Sequence, residues 1–90
     1  MLRIALTITG RVQGVFYRAN ARVQATELGL AGWVRNVSDG SVEIIAEGEK
    51  LMLEKFIKWC KIGSPSSRVD NIEVKWQTAT GEFKNFAIRY

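Results

Sequence analysis

Leu2, Ile4, Leu6 and Ile8 alternate with Arg3, Ala5, Thr7 and Thr9 at the start of the chain. A period of two places the first set on one face of a strand and the second on the other. From about Phe16 to Leu28 the period lengthens. Tyr17, Ala21, Ala25 and Leu28 share one face of a predicted helix, with Val23 at its margin and Gly29 positioned to stop it. "GWVRNV" (32–37) reads as a second strand. Asp39-Gly40 predicts a tight hairpin into a third, "SVEIIAEG" (41–48), whose Val42, Ile44 and Ala46 face one way. A second helix is predicted over 49–62, with Leu53, Phe56, Ile57 and Cys60 as its core stripe and Gly63 and Pro65 at its end. Ile72, Val74 and Trp76 outline a fourth strand, and Phe86, Ile88 and Tyr90 a short fifth.

The order is βαββαβ with one extra terminal strand. Right-handed crossovers and a tight hairpin leave few ways to join these pieces. The simplest is an α+β, ferredoxin-like split-βαβ sandwich, with an antiparallel-rich sheet and both helices on one face. Strands one and two then run parallel on either side of strand three, so their C-terminal ends lie at the same end of the sheet. The segment "GRVQGVFYR" (10–18) and the region of Asn36 are thereby expected to converge.

That convergence gives the glycines and Arg18 a chemical meaning. A helix start exposes unpaired N–H groups and the positive end of the helix dipole. A loop with Gly10 and Gly14 can curl its amides round an anion, and the planar fork of Arg18 matches phosphate oxygens. The residues equally allow a plain strand-to-helix turn with a solvated Arg18. Asn36 carries a similar choice between holding a water or a transition-state oxygen and bonding the hairpin backbone. Dinucleotide and P-loop patterns are absent. The cysteine-phosphatase loop is also excluded, because Val12 stands where its cysteine would be. Cys60, on a core stripe, reads as packing, as does Trp33, and Arg11, Arg22 and Arg35 read as solvated charges near the mouth.

Composition narrows the chemistry further. The chain has 90 residues, the length of one domain spanning 1–90, and no apolar run approaches the roughly 18–20 residues that cross a bilayer. The alternating start does not look like a secretory signal, which makes the cytoplasm the expected compartment. There is no histidine, and Cys60 is the only cysteine, so imidazole chemistry and an internal disulfide are excluded and a zinc site is disfavoured. A net charge of +4 favours an anionic partner.

"GRVQGVFYR" followed by "LGLAGWVRNVSDGSVEIIAEGE" resembles the acylphosphatase family, and the likeness extends through "WCKIGSPSSRV" (59–69) to the Phe86–Tyr90 end. Tyr17, where the family often has phenylalanine, is a mild departure. The resemblance implies hydrolysis of an acyl phosphate to a carboxylate and inorganic phosphate, with no metal, no other cofactor and no phosphoenzyme. It implies that Arg18 and the amides of Gly14, Val15, Phe16 and Tyr17 hold the phosphoryl group, while Asn36 positions the attacking water. Phosphate or sulfate should compete with substrate. A monomer that engages neither nucleic acid nor membrane is the expectation. An RNA-binding module of the same fold would stack bases on its open sheet face. Here the outward positions of strands one and three are Arg3, Ala5, Thr7, Thr9, Glu43, Ile45 and Glu47, with no aromatic among them. A regulatory phosphate-binding module with no turnover is the other alternative.

Overall fold

The computed structural model describes residues 1–90 and contains seven elements: β1 (Leu2–Arg11), α1 (Tyr17–Glu27), β2 (Ala31–Asn36), β3 (Val42–Gly48), α2 (Lys50–Ile62), β4 (Arg68–Thr78) and β5 (Phe86–Arg89). They form a five-stranded sheet in the order β4-β1-β3-β2-β5. β3 is antiparallel to both β1 and β2, as the split-βαβ arrangement requires, and β5 joins the free edge of β2 in parallel. No helix is long and apolar enough to cross a membrane.

The alternation along β1 and β3 produces the core directly. Ile4, Leu6, Ile8, Val42, Ile44 and Ala46 are buried on the face that receives Tyr17, Ala21 and Ala25 from α1 and Leu53, Phe56 and Cys60 from α2. Leu28 and Ile57 are only half buried, and Val23 is exposed. Ile72 and Val74 pack against the core, but Trp76 stays partly exposed because β4 is an edge strand that the helices cover only in part. Trp33, read from sequence as packing, pairs with Ile45 on the open face and lies under the Arg35 and Arg89 guanidinium groups.

One expectation about the loop is corrected. The sequence places Gly10 together with Gly14 in an anion-facing loop, but β1 continues through Arg11, so Gly10 is a strand residue. Gly10 sits at a bulge in the β1–β4 ladder with φ 127°, where a Cβ would collide with the Arg68 carbonyl. Its glycine is needed for close backbone approach to β4. The true loop is Val12–Phe16, and α1 begins one residue later than its apolar pattern suggests.

At the opposite end of β1, Glu47 is a buried carboxylate. It accepts hydrogen bonds from Arg3 Nε (2.7 Å), the Thr80 amide (2.9 Å) and hydroxyl (3.2 Å), and the Gly81 amide (3.0 Å). Burial pushes its pKa up, but the Thr80 amide, Arg3, the Gly81 amide and the Thr80 hydroxyl outweigh burial and hold it at about 2. A folded pKa below the unfolded one stabilises the protein above the ordinary carboxylate range, and that stabilisation is lost as pH falls through it toward 2. Glu47→Gln should therefore lower stability at neutral pH by about 2–3 kcal/mol. It should also flatten the loss of stability between roughly pH 4.5 and 2. Urea melts at pH 7 and pH 3 test this; equal acid sensitivity in both proteins would show that Glu47 does not carry it.

Candidate active site

The register places the two sequence motifs together. Val42 pairs with Ile8 of β1 on one side and with Asn36 of β2 on the other, so the last rungs of both strands share one β3 residue. Two strand spacings, about 10 Å, separate Ile8 from Asn36 across the sheet. The Val12–Phe16 loop springs from this end and feeds α1.

The loop has backbone angles of a kind that can cradle an anion. Gly14 has φ 73° and Phe16 φ 63°, and Val15 between them is not left-handed. Alternating backbone hand turns successive N–H groups toward one concave side. A Cβ at Gly14 would meet nothing, so the left-handed backbone, rather than crowding, is what asks for glycine there. Phe16 is a phenylalanine in a left-handed conformation, with its ring three-quarters exposed. Backbone strain of this kind, of order 1–3 kcal/mol, persists where surrounding contacts impose it. Those contacts are visible: Ser64 Oγ donates to the Val15 carbonyl (2.7 Å), and the Tyr17 hydroxyl donates to the Cys60 carbonyl (2.8 Å).

The amides stay free. No loop, turn or cap hydrogen bond is donated by a backbone N–H from Gln13 to Ala19, and no side chain accepts one. The helix start has no side-chain cap and no acidic residue in its first turn. Arg18 occupies that turn instead. It is half buried and makes neither a salt bridge nor a hydrogen bond; only the Tyr90 ring lies against its guanidinium, 5.1 Å from the centroid. A cation at the positive end of a helix, with no acid to balance it, is an arrangement that an anion would relieve.

Arg18 opens into a pocket of about 280 Å³ walled by Val12, Gly14, Phe16, Ile88 and Tyr90. No Asp, Glu, Cys or His side chain lines it. Cys60 lies elsewhere, wholly buried, with burial pushing its thiol up to about 12, which removes it as a nucleophile.

Asn36 is not on the wall of this pocket; it follows the β2 residue paired with Arg89, beside the Tyr90 end of β5. Its carboxamide makes no hydrogen bond to the hairpin, and its Oδ1 is buried without a partner. The turn is held instead by Asp39, whose carboxylate accepts from the Ser41 amide (2.9 Å) and hydroxyl (2.6 Å). The hairpin-bonding role open to Asn36 from sequence is thus filled by another residue.

Two contributors were not legible as such. Ser64 braces the loop from the end of α2. Gln13, inside the 10–18 motif, donates from its Nε2 to the carbonyls of Val37 (2.7 Å) and Ser41 (2.9 Å). Their partners lie far along the chain, so no local pattern points to them.

The family model described as acylphosphatase matches residues 4–88. An acylphosphatase from Pelotomaculum thermopropionicum is 46% identical over 88 residues, covering 98% of this chain and 96% of the relative. One from Methylococcus capsulatus is 48% identical with the same coverage. The crystal structure of acylphosphatase from Bacillus subtilis superposes with a TM-score of 0.97 at 41% identity, each chain covered completely. Sequence and fold agree from one end of the domain to the other, and the chain belongs to the acylphosphatase family, enzymes that hydrolyse acyl phosphates.

Proposed function

We propose that the chain, acting as one domain over 1–90, hydrolyses acyl phosphates by direct attack of a positioned water on a phosphoryl group held by Arg18 and the amides of Gly14, Val15, Phe16, Tyr17 and Arg18. The observation that carries this reading is the unpaired Arg18 guanidinium beside a run of amides that bond nothing else. Asn36, whose carboxamide makes no hydrogen bond within the protein, orients the water.

The reaction asks little more of the protein. An acyl phosphate is a mixed anhydride, and its leaving group is a carboxylate whose acid has a pKa near ~4. It departs without a proton donor. Phosphoryl transfer passes through a loose transition state, so the water needs little prior deprotonation. A phosphate oxygen of the substrate takes its proton. Charge and position are then the protein's contribution, and both can come from Arg18, the loop amides and Asn36. No metal is required, and no covalent phosphoenzyme forms. Every group in the scheme comes from one chain, so a monomer suffices; the compartment proposed for it is the cytoplasm, with neither nucleic acid nor membrane as a partner.

Inorganic phosphate or sulfate should occupy the same cradle and compete with benzoyl phosphate. Millimolar phosphate should raise the melting temperature by linkage and protect the amides of 14–18 from hydrogen exchange. The effect should shrink with added chloride salt, because the attraction is largely between charges. Turnover should survive excess chelator. An unchanged melting temperature with phosphate, or a chelation loss restored by a divalent ion, would contradict the mechanism.

A further inference from the structure

The cradle and Asn36 lie on different parts of the chain, and the reaction proposed above needs them at a fixed separation. The cradle is tied to the α2 side by Ser64 and by the Tyr17 hydroxyl. Neither tie reaches the hairpin that carries Asn36. The only side-chain hydrogen bonds between the loop and the hairpin are the two from Gln13.

Their placement is specific. Val37 and Ser41 close the hairpin, with the Val37 amide donating to the Ser41 carbonyl (2.9 Å) and the Gly40 amide to the Val37 carbonyl (3.0 Å). Gln13 spends both protons of its carboxamide nitrogen on these same two carbonyls. Val37 directly follows Asn36, and Ser41 directly precedes Val42, the ladder partner of Asn36. Gln13 therefore grips the hairpin one residue from Asn36 on one strand and one residue from its partner on the other. On its own side, Gln13 directly precedes Gly14, the first cradle residue. The half-buried position of Gln13 shields both bonds from competing water.

We infer that Gln13 is a positioning residue, which fixes the distance between the bound phosphoryl group and the Asn36 carboxamide. This rests on the roles given above to Arg18 and Asn36. Gln13 touches no reacting atom in this scheme. Without it the cradle still binds phosphate, because its amides, Arg18 and the α2-side ties are intact. The hairpin still closes, because each carbonyl keeps its backbone donor. What is lost is the registration of water against phosphorus, to which in-line attack is sensitive.

The test is a double-variant cycle on the full chain, with Gln13→Leu, Asn36→Ala and the two combined. Gln13→Met, which keeps an unbranched stem without donors, serves beside Gln13→Leu. Turnover of benzoyl phosphate, the Kd of inorganic phosphate and circular dichroism are measured for each. We expect either Gln13 variant to be folded, to lose about tenfold or more in kcat, and to keep phosphate affinity within about twofold. The combined variant should be nearly as active as Asn36→Ala alone, because a misplaced residue cannot be misplaced further once removed.

Wild-type kcat in a folded Gln13 variant would overturn the assignment. So would a fall in phosphate affinity equal to the fall in kcat, which would make Gln13 part of the cradle. Losses that simply multiply in the combined variant would show it acting independently of Asn36, and failure of both Gln13 variants to fold would make it a folding determinant. If Asn36→Ala alone turns over normally, the underlying reading of Asn36 fails, and that outcome is visible whatever Gln13 does.

Discussion

Arg18→Ala will lose phosphate binding and turnover together while remaining fully folded. Arg18 is proposed to contact the phosphoryl group both in the bound substrate and in the transition state. Its removal should weaken phosphate at least about tenfold and lower kcat/KM by about 10³-fold or more, the scale of losing an arginine from a phosphoryl-transfer site. Stability should barely move. The guanidinium has no carboxylate partner, and a cation near a helix N-terminus is unfavourable by about 0.3–1 kcal/mol. Losing its contact with the Tyr90 ring offsets this by a similar amount. Arg18→Lys should not restore activity, since a point charge lacks the planar fork that spans two phosphate oxygens. Titration of phosphate by calorimetry and thermal melts without ligand check both halves. Wild-type phosphate affinity in Arg18→Ala would remove Arg18 from the cradle, and recovery in Arg18→Lys would reduce its role to charge alone.

The chain announces its core more clearly than its site. Alternation in β1 and β3 and the i, i+3, i+4, i+7 stripe of α2 arise because a buried face must repeat with the backbone's own period, so the pattern is local and readable. The approach of the 10–18 segment to the end of β2 is readable for a related reason: few topologies join βαββαβ, and the parallel run of β1 and β2 on either side of β3 follows from them. Gly10 shows where this stops. A glycine at a bulge and a glycine in a loop look alike until the partner strand is known, and β4 lies some 60 residues away in the chain.

The ties that shape the loop are hidden for the same reason. Gln13 and Ser64 bond backbone carbonyls 24 to 49 residues distant, and any residue type offers a carbonyl. The left-handed backbone at Phe16 has no sequence signature, because the usual marker is glycine or asparagine. The pairing of β5 with β2 was equally open from pattern alone. It is set by Phe86, buried against Phe56, and by the parallel register from Gly32 to Arg35. Tyr90 continues the alternation of β5 by spacing but lies beyond the strand, where its ring meets Arg18 in place of the core.

Asn36→Ala separates the chemical role of this residue from a structural one, because the two roles move stability and activity differently. A hairpin-bonding asparagine would lose stability when truncated. Here the carboxamide bonds nothing in the hairpin, and a buried acceptor without a partner costs about 1–3 kcal/mol. Its removal should leave the melting temperature unchanged or raise it. Activity should fall in the same variant: kcat by about 10²-fold or more, the scale of losing one preorganised hydrogen-bonding group. Phosphate affinity should stay near wild type, since Arg18 and the loop amides are untouched, so the loss belongs to the transition state and not to binding. Asn36→Asp adds a second discriminant. It keeps the shape but brings a carboxylate toward the bound anion, so it should weaken phosphate as well as slow turnover, and more so at low salt. A folded Asn36→Ala with normal kcat, or one that melts several degrees lower with activity intact, would return Asn36 to the hairpin and leave the attacking water to be placed by some other group.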